Sequence, residues 1–487
     1  MKTEKTEVIV IGGGSAAFEA AVSARQGGAE KVVMLEKAPE PEFGGNARFS
    51  HTGFRFVYSG ADEIRQFLPD LEQSEFQRMQ VTPYTAENFM ADLLRVTQGR
   101  INKELAEVLI NESNGAIHWM LDLGIKWEPA SYVVVNGRYY FERGIVIHPT
   151  GGIGGGLSQL LQWREIAARM GIELRYESRV CALHGNDRRV DGVRVSNPIE
   201  EYDLLGNAVI LCSGGFQANT EMRARYLGPN ADLMKVRGSK HDTGEVLQMA
   251  LALGAKPAGH WQGAHATPID KNFPDVEISN KANRYGYIYG ITVNSLGQRF
   301  FDEGEAQHSY TYAKTGWAVL SQPGAVAYQI FDQKGLPLLN QRYYSHAEPI
   351  EALTISELAS KIGIEPVVLV HTVDDFNKAV RDDIEFDPTK PDGKCTTGAV
   401  PRKSNWAIRI DKPPFQAYPV TGGITFTFGG LSVDRTAQVL NTSNQPIRGL
   451  YASGDILGLF FHNYPSCTGQ TRNVVFSRLA GQHCLKG

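Results

Sequence analysis

The sequence predicts an α/β protein, and three short stretches carry the prediction. Each contains a short apolar segment of the kind that forms a buried strand in a parallel sheet, and glycine follows in each. They are residues 8–11, "AVILCSGGF" (208–216) and "IRGLYASGDILG" (447–458). Because they lie far apart along the chain, we expect one sheet that is assembled from both ends of the sequence, with another domain inserted between its parts.

The first apolar run leads into a glycine-rich turn and a helix in "EVIVIGGGSAAFEAAVSARQ". Gly12, Gly14 and Ala17 fill the positions of the G-x-G-x-x-G/A pattern. The first glycine permits a tight turn, the second lets the backbone approach a pyrophosphate, and the third position keeps the helix close to the strand. The N–H groups at the helix start, around Ser15 and Ala16, then face the phosphates. A glycine turn without a ligand is the alternative.

Two acidic residues extend this pattern into a prediction of FAD. Glu36, followed by Lys37, ends the second strand 22 residues after Gly14, where a carboxylate can accept hydrogen bonds from ribose hydroxyls. Asp455 follows Gly454 at the end of the last apolar run, where it suits the ribose or ribityl hydroxyls of an extended dinucleotide. An enzyme that binds only NAD would not need both acids on one ligand.

Further candidate cofactor-binding residues lie in the loops around these strands. "EFGGNAR" follows the acidic strand end and offers backbone donors, and "HPTGGIGGGL" is a glycine-rich loop before a helix, able to press against a flat ring or hold a carboxylate. A merely flexible loop is the alternative for the second segment. The additional candidates are Gly44, Gly45, Asn46, Ala47, Gly152, Val180, Ser213, Gly214, Gly469 and Thr471.

Length and composition limit the remaining possibilities. A chain of 487 residues predicts more than one domain, and we expect an FAD-binding domain formed by residues 1–260 and 400–487 with a capping domain over 261–399.

The net charge of −4 gives no basic surface for nucleic acid, and no apolar run is long enough for a transmembrane helix. Six residues before the first strand leave no room for a signal peptide, so we expect a cytoplasmic protein. The five cysteines have no metal-ligand spacing, and no metal is predicted.

These motifs together resemble the FAD-dependent fumarate reductase and succinate dehydrogenase flavoprotein superfamily, over nearly the whole chain. Added markers are "TGEVLQMALALGA", "VNSLGQRFFDE" and "GLYASGD". Within the superfamily, "FDEG", "YTYAKTG", "ITFTFGG" and "HNYP" most resemble the tricarballylate dehydrogenase type. The resemblance implies a Rossmann-like FAD domain with an inserted α+β cap. "SHT" resembles the tripeptide that carries covalent flavin in respiratory members, but that position falls nearer Asn46 than His51, so we expect non-covalent FAD.

Departures from the family pattern bear on the chemistry. Fumarate-reducing members carry an arginine proton donor, a histidine and a second arginine that clamp a dicarboxylate. Here the first slot falls on Gln307 or His308, the histidine slot on Phe426, and the last arginine slot on or near Tyr464. His265, in "WQGAHAT", stands where the family carries its first substrate-binding histidine.

The turn "HNYPSCTG" also resembles that of flavin ketosteroid dehydrogenases, in which a tyrosine hydroxyl and a backbone N–H hold an enolising carbonyl. Tyr464 is then the expected oxyanion donor, and His308 the expected base or acid. Tyr310 would share the face of His308 if the segment is extended. Packing is the alternative role for each, and tyrosines 285, 287 and 289 are expected to pack along a strand face.

We therefore expect an FAD-dependent dehydrogenase, or desaturase, that acts on a small carboxylic acid or ketone and passes electrons to an external acceptor. A base would remove the α proton, and the β hydrogen would leave as hydride to flavin N5. The alternatives are a reductase of an activated alkene such as fumarate, a ketosteroid-type dehydrogenase of cyclic ketones, and a redox-carrier subunit without catalytic activity. The last would not require a cap that carries histidines and tyrosines.

Overall fold

The computed structural model describes residues 2–151 and 155–486, apart from the side chain of Asn280. The chain divides into two compact units. The first consists of Met1–Leu227, Gly238–Ala264 and Phe426–Gly487, and the second consists of Gly228–Arg237 and His265–Thr425.

The strands of the described residues are numbered in chain order. They are β1 Lys2–Lys5, β2 Val8–Ile11, β3 Val32–Leu35, β4 Met79–Gln80, β5 Trp127–Pro129, β6 Tyr132–Val135, β7 Arg138–Phe141, β8 Ile147–Pro149, β9 Glu173–Arg175, β10 Arg179–Asn186, β11 Arg189–Ser196, β12 Glu201–Leu205, β13 Ala208–Leu211, β14 Lys235–Val236, β15 Pro257–Ala258, β16 Ala264–Asp270, β17 Ile291–Asn294, β18 Val326–Phe331, β19 Ile350–Ala352, β20 Phe415–Thr427, β21 Gly430–Leu431, β22 Gln438–Leu440 and β23 Pro446–Ala452.

The α-helices of the same residues are numbered in the same way. They are α1 Ser15–Gln26, α2 Ala61–Phe67, α3 Gln73–Phe76, α4 Ala86–Val96, α5 Lys103–Asp122, α6 Gly156–Arg169, α7 Thr220–Leu227, α8 Glu245–Leu253, α9 His308–Leu320, α10 Gln341–Tyr344, α11 Ile355–Lys361, α12 Pro366–Ala379 and α13 Thr468–His483.

The main sheet of the first unit follows the order β1-β12-β11-β23-β13-β2-β3-β9, with β10 beside β11 and β22 beside β23. The five strands from β23 to β9 are mutually parallel. Every residue of β2, β3 and β13 is buried, as expected for strands covered on both faces. The predicted α/β fold is therefore confirmed, and the sheet does join strands from both ends of the chain.

The turn after β2 requires glycine because it runs against the end of β13. Gly12 has a φ of 125°, which is a left-handed backbone conformation. A Cβ atom at this position would lie 2.4 Å from the carbonyl oxygen of Cys212. Any larger residue would push the first turn of α1 away from the sheet.

The first and last helices of this unit cross at very short range. A Cβ atom on Gly481 of α13 would lie 2.5 Å from the backbone nitrogen of Ala24 in α1. One turn earlier, Ser23 Oγ donates a hydrogen bond to the carbonyl oxygen of Arg478 at 2.7 Å. The absence of a side chain at Gly481 thus allows α13 to lie directly on the helix that follows the glycine-rich turn.

The second unit is built on a sheet of order β14-β20-β18-β17, to which β16 and β19 add by pairing with β20. Its core packs this sheet against α11 and α12, through residues such as Ile291, Leu369 and Phe376. The second unit thus combines a mainly antiparallel sheet with separate helices, which is an α+β arrangement.

The second unit extends past the predicted boundary at residue 400, to Thr425. The reason is β20, which pairs with β18 over Val326–Phe331 and therefore belongs to this sheet. The preceding polar, proline-rich segment is not a free linker either. The Lys403 ammonium is buried and donates to the carbonyl oxygen of Gly290, and Ser404 contacts Asp302.

The helix crossing gives a prediction about stability. We expect Gly481→Ala to lower the free energy of unfolding by about 1–3 kcal/mol, because the added methyl overpacks the contact with α1. Gly115→Ala is the matched control: this glycine is exposed within α5, and its nearest neighbour would be 3.8 Å from a new Cβ. Alanine there should raise the free energy of unfolding by about 1 kcal/mol through helix propensity. Urea titrations of both variants test the opposite signs, and equal effects would refute the close packing.

Candidate active site

A groove of about 850 Å³, part of it open to solvent, lies at the carboxyl ends of the parallel strands in the first unit. The segments that follow β2, β3, β13 and β23 all contribute to its wall. Ligands of open α/β sheets bind at this edge, because loops from neighbouring strands converge there and helix N-termini point towards it. The groove is therefore the expected place for a dinucleotide.

The groove brings together most of the cofactor-binding residues that the sequence predicts. Gly44 lies at the left-handed start of a short helical turn beside it, and Gly469 and Thr471 lie in the first turn of α13, all outside the groove lining. Gly152 falls outside the described residues. The predicted residues that line the groove are Gly12, Gly14, Ser15, Ala16, Glu36, Lys37, Gly45, Asn46, Ala47, Val180, Ser213, Gly214 and Asp455.

Four carboxyl groups line this groove, those of Glu36, Asp242, Glu245 and Asp455, and the sequence predicts only the first and the last of them. Glu36 Oε1 accepts a hydrogen bond from the Ala38 N–H at 2.7 Å, and burial raises the pKa of Glu36. Asp242 accepts a hydrogen bond from Gln217 Nε2 at 2.7 Å. Burial, and after it the nearby charge of Asp455, holds the pKa of Asp242 well above its usual range. Asp242 lies in "DTGEV", and neither its burial nor its partner Gln217 can be read from that segment.

The donors and acceptors of the groove fit FAD. The N-cap of α1, Gly14, makes no side-chain capping hydrogen bond among the described residues, so the first N–H groups of α1 can bind phosphate oxygens. A carboxylate accepts hydrogen bonds from ribose or ribityl hydroxyls, whereas a carboxylic acid, the form favoured at Asp242, can also donate one. Together these groups suit a ligand that has a pyrophosphate in the middle and hydroxyls on either side.

Asp455 has a cationic partner that the sequence did not reveal. The guanidinium of Arg472, from the second turn of α13, forms an ion pair with Asp455. Its charged group also lies 5.4 Å and 5.2 Å from the ring centroids of Phe426 and Phe460. Arg472 is almost completely buried, so it is fixed in this pair and connects the groove to the aromatic cluster around Tyr464.

Tyr464 lies in the turn that leads into α13 and is 5% exposed. Its ring centroid is 5.3 Å from that of Phe426, 5.2 Å from that of Phe460 and 6.3 Å from that of Phe428. Phe426, predicted from the sequence to occupy the histidine slot of the fumarate reductases, thus forms an apolar wall beside Tyr464. We call these four aromatic rings the aromatic box.

The backbone of this turn is unusual. His462 and Cys467, on either side of Tyr464, have φ values of 58° and 66°, in the left-handed region that non-glycine residues rarely adopt. Arg55 stabilises the turn, because its Nε donates a hydrogen bond to the carbonyl oxygen of Ser466 at 2.9 Å. Its side chain is fully buried and pairs with Glu142 at 2.9 Å. Strained backbone of this kind persists where the surrounding structure fixes it.

The second unit holds a separate aromatic cluster that contains both predicted histidines. His265 meets Tyr312 edge to face at 4.8 Å between ring centroids, and His308 stacks on Tyr285 at 5.5 Å. Tyr285 in turn contacts Tyr312 at 5.0 Å. Burial, and after it the charge of Arg237, lowers the pKa of His265 well below its ordinary value. His265 is therefore a neutral imidazole at physiological pH.

The structure changes one expected neighbour in this cluster. The segment that begins at His308 is the helix α9 and not an extended strand. On a helix, residues four apart share a face, so Tyr312 lies on the side of His308 and the half-buried Tyr310 does not. Tyr285, Tyr287 and Tyr289 likewise lie in a 3-10 helix and not on the face of a strand.

His51, the other candidate for covalent flavin attachment, contacts a second histidine. The imidazole of His51 packs edge-on against His148, with ring centroids 5.9 Å apart. No helix within the described ranges has the length and apolar character to cross a membrane.

Comparison with known proteins supports the interpretation of the groove as an FAD site. The family model described as "FAD binding domain" matches residues 7–470. A probable fumarate reductase of Shewanella frigidimarina is 29% identical over 99% of this chain and 75% of its own length. A 4-oxocyclohex-2-ene-1-carboxylate 5-dehydrogenase of Sinomonas cyclohexanicum is 27% identical over 64% of this chain and 56% of its own.

A solved structure shows the same fold. The 3-ketosteroid Δ1-dehydrogenase of Sterolibacterium denitrificans superposes with a TM-score of 0.75 at 20% identity, covering 99% of this chain and 100% of that one. The narrower likeness to tricarballylate dehydrogenases stays a prediction. From the family match over residues 7–470 and the groove that fits its cofactor, we conclude that this chain belongs to the FAD-binding domain family, within the fumarate reductase and succinate dehydrogenase flavoprotein superfamily, and is an FAD-dependent oxidoreductase.

Proposed function

We propose that this protein is an FAD-dependent dehydrogenase that introduces a carbon–carbon double bond beside the carbonyl group of a ketone or carboxylic acid. The observation that carries the proposal is the aromatic box. Where fumarate-reducing relatives are expected to hold a histidine and an arginine, this chain has Phe426 and Tyr464 in contact. A phenol among phenylalanine rings suits a carbonyl oxygen better than it suits two carboxylates, which require bidentate cations.

The proposed reaction divides between a base and an oxyanion donor. FAD held in the groove, beside residues such as Glu36 and Asp455, would supply the acceptor for the hydride of the β carbon. His308 takes the proton from the α carbon, and the electrons of that C–H bond form the new double bond. Tyr464 donates a hydrogen bond to the carbonyl oxygen, which gains negative charge as the α proton leaves. His265, held neutral by burial, positions the substrate by hydrogen bonding and carries no charge to it.

The names of the relatives favour a second candidate, the reduction of an activated alkene. One relative is a probable fumarate reductase, and another is a urocanate reductase. The relative named as a 5-dehydrogenase of a cyclic oxo-acid supports our first direction, with a ring ketone as the substrate class. Tricarballylate, a tricarboxylic acid, represents the class that the narrower resemblance implies.

A substrate panel decides between these directions. We expect anaerobic mixing with cyclic ketones, such as 4-oxocyclohexanecarboxylate, to bleach the oxidised flavin, and expect turnover when an artificial electron acceptor is added. Tricarballylate tests the carboxylic-acid class in the same assay. Fumarate with a reduced viologen should give a rate at least tenfold lower. Rapid fumarate reduction without any ketone or acid oxidation would reverse the proposed direction.

The mode of cofactor binding gives another prediction. Denaturation should release all flavin as free FAD, and Glu36→Ala should weaken FAD binding about tenfold, because it removes a buried acceptor from the groove. Glu40→Ala is the control, since Glu40 is an exposed residue paired with Arg164. Titration of the apoprotein with FAD measures both constants. Flavin that stays on the precipitated chain would favour a covalent bond to His51.

Tyr464→Phe tests the oxyanion donor. We expect FAD to stay bound and the flavin-reduction rate to fall about a hundredfold, as is typical when one such donor is lost. Tyr451→Phe is the matched control, because this buried tyrosine of the same unit donates to the carbonyl oxygen of His483, at the far end of α13. Stopped-flow absorbance of the flavin measures both rates. A normal rate in Tyr464→Phe would remove this residue from the mechanism.

A further inference from the structure

Two buried threonine hydroxyls of the first unit have no hydrogen-bond partner among the described residues. They are Oγ1 of Thr52 and Oγ1 of Thr468. Thr52 is 1% exposed and Thr468 is 0% exposed, so solvent does not satisfy them at the protein surface. Buried hydroxyls in native proteins are nearly always paired, and an unpaired one calls for an explanation.

A nearby threonine shows what a structural hydroxyl looks like. Thr471, one turn further along α13, accepts a hydrogen bond from the backbone N–H of Arg55 at 3.1 Å. Its own hydroxyl donates to the carbonyl oxygen of Arg55 at 2.7 Å. This hydroxyl fixes the packing of two segments. Those of Thr52 and Thr468 have no such role.

The segments that carry the two unpaired hydroxyls are in contact. A Cβ atom on Gly53 would lie 2.4 Å from Sγ of Cys467, so the residues next to Thr52 and Thr468 touch. Gln470 Nε2 also donates to Ser50 Oγ at 3.1 Å. The chain from residue 50 to 55 therefore runs along the first turn of α13.

Both segments also contain strained backbone. Thr52 has a φ of 55°, which is a genuine outlier for a β-branched residue, and Cys467 has a φ of 66°. Glycine would adopt these angles without strain, yet neither position has it. Strain of this kind concentrates at ligand-binding and catalytic sites.

The helix end adds a preference for negative charge. Cys467, the N-cap of the 16-residue helix α13, makes no side-chain capping hydrogen bond among the described residues. The N–H groups of the first turn and the helix dipole then stabilise an anion placed there. Thr468 is the first residue of the helix, four positions after Tyr464.

We propose that the hydroxyls of Thr52 and Thr468 bind a carbonyl oxygen that becomes negatively charged as electrons reach the flavin. This oxygen has two possible sources: the pyrimidine ring of the flavin or the carbonyl group of the substrate. The second source rests on the proposed function, and Thr468 would then be a further donor beside Tyr464. The first source requires only that FAD binds.

Thr52→Val and Thr468→Val test the proposal, because valine keeps the shape and removes the hydroxyl. Thr471→Val is the matched control. If the two hydroxyls are reserved for a ligand, their loss should leave the thermal midpoint of the FAD-free protein unchanged or raise it. Thr471→Val should lower it, because its hydroxyl is paired. A fall in both test variants as large as in the control would overturn the proposal.

Two measurements on the FAD-loaded variants identify the source of the oxygen. If it belongs to the flavin, the variants should bind reduced flavin about tenfold less tightly relative to oxidised flavin. The two-electron midpoint potential would then fall by about 30 mV, read against a reference dye. If it belongs to the substrate, para-substituted phenols, used as enolate mimics, should bind about tenfold less tightly with the potential unchanged. Wild-type potential and wild-type phenol binding in both variants would overturn the proposal.

The same data separate this proposal from the proposed function. A normal rate in Tyr464→Phe with a lowered potential in Thr468→Val would remove Tyr464 from the mechanism and support the threonine pair at the flavin. A slow Tyr464→Phe enzyme with entirely unaffected threonine variants would leave the proposed function intact and overturn only the threonine pair.

Discussion

The close crossing of α1 and α13 is the contact on which the cofactor groove depends. Helix α1 begins at the glycine-rich turn, and α13 begins beside Tyr464, so their relative position sets the distance between cofactor groups and the aromatic box. The crossing is possible only because Gly481 has no side chain. In the sheet, β13 pairs in parallel with both β2 and β23. This pairing also joins strands from the two ends of the sequence.

The cofactor half of the site could be predicted from sequence because its signals are local. Gly12, Gly14 and Glu36 lie within one strand–turn–helix–strand unit, and their spacing alone defines the geometry. Asp242 and Arg472 were not predicted, because their importance comes from burial and from partners far away in the sequence. Asp242 is held by Gln217, and Arg472 by Asp455 and two phenylalanine rings.

The neighbours of His308 were harder to predict, because they depend on whether its segment is helical or extended. His308 and Tyr312 share a face only because the segment is helical, and an extended segment would have paired His308 with Tyr310. The end of the second unit, at Thr425, also differs from the boundary predicted near residue 400. Proline-rich composition indicated a linker near residue 400, whereas buried polar contacts at Lys403 and Ser404 attach this segment to the second unit.

The order of strands in the main sheet has a consequence for synthesis on the ribosome. β2, β3 and β13 emerge early, whereas their partner β23 and the helix α13 follow only after all of the second unit has been made. While the second unit is being made, the nascent chain therefore carries an incomplete groove in which β13 lacks its neighbour β23. Completion of the FAD groove has to await the segment from Pro446 to the end of α13 at His483.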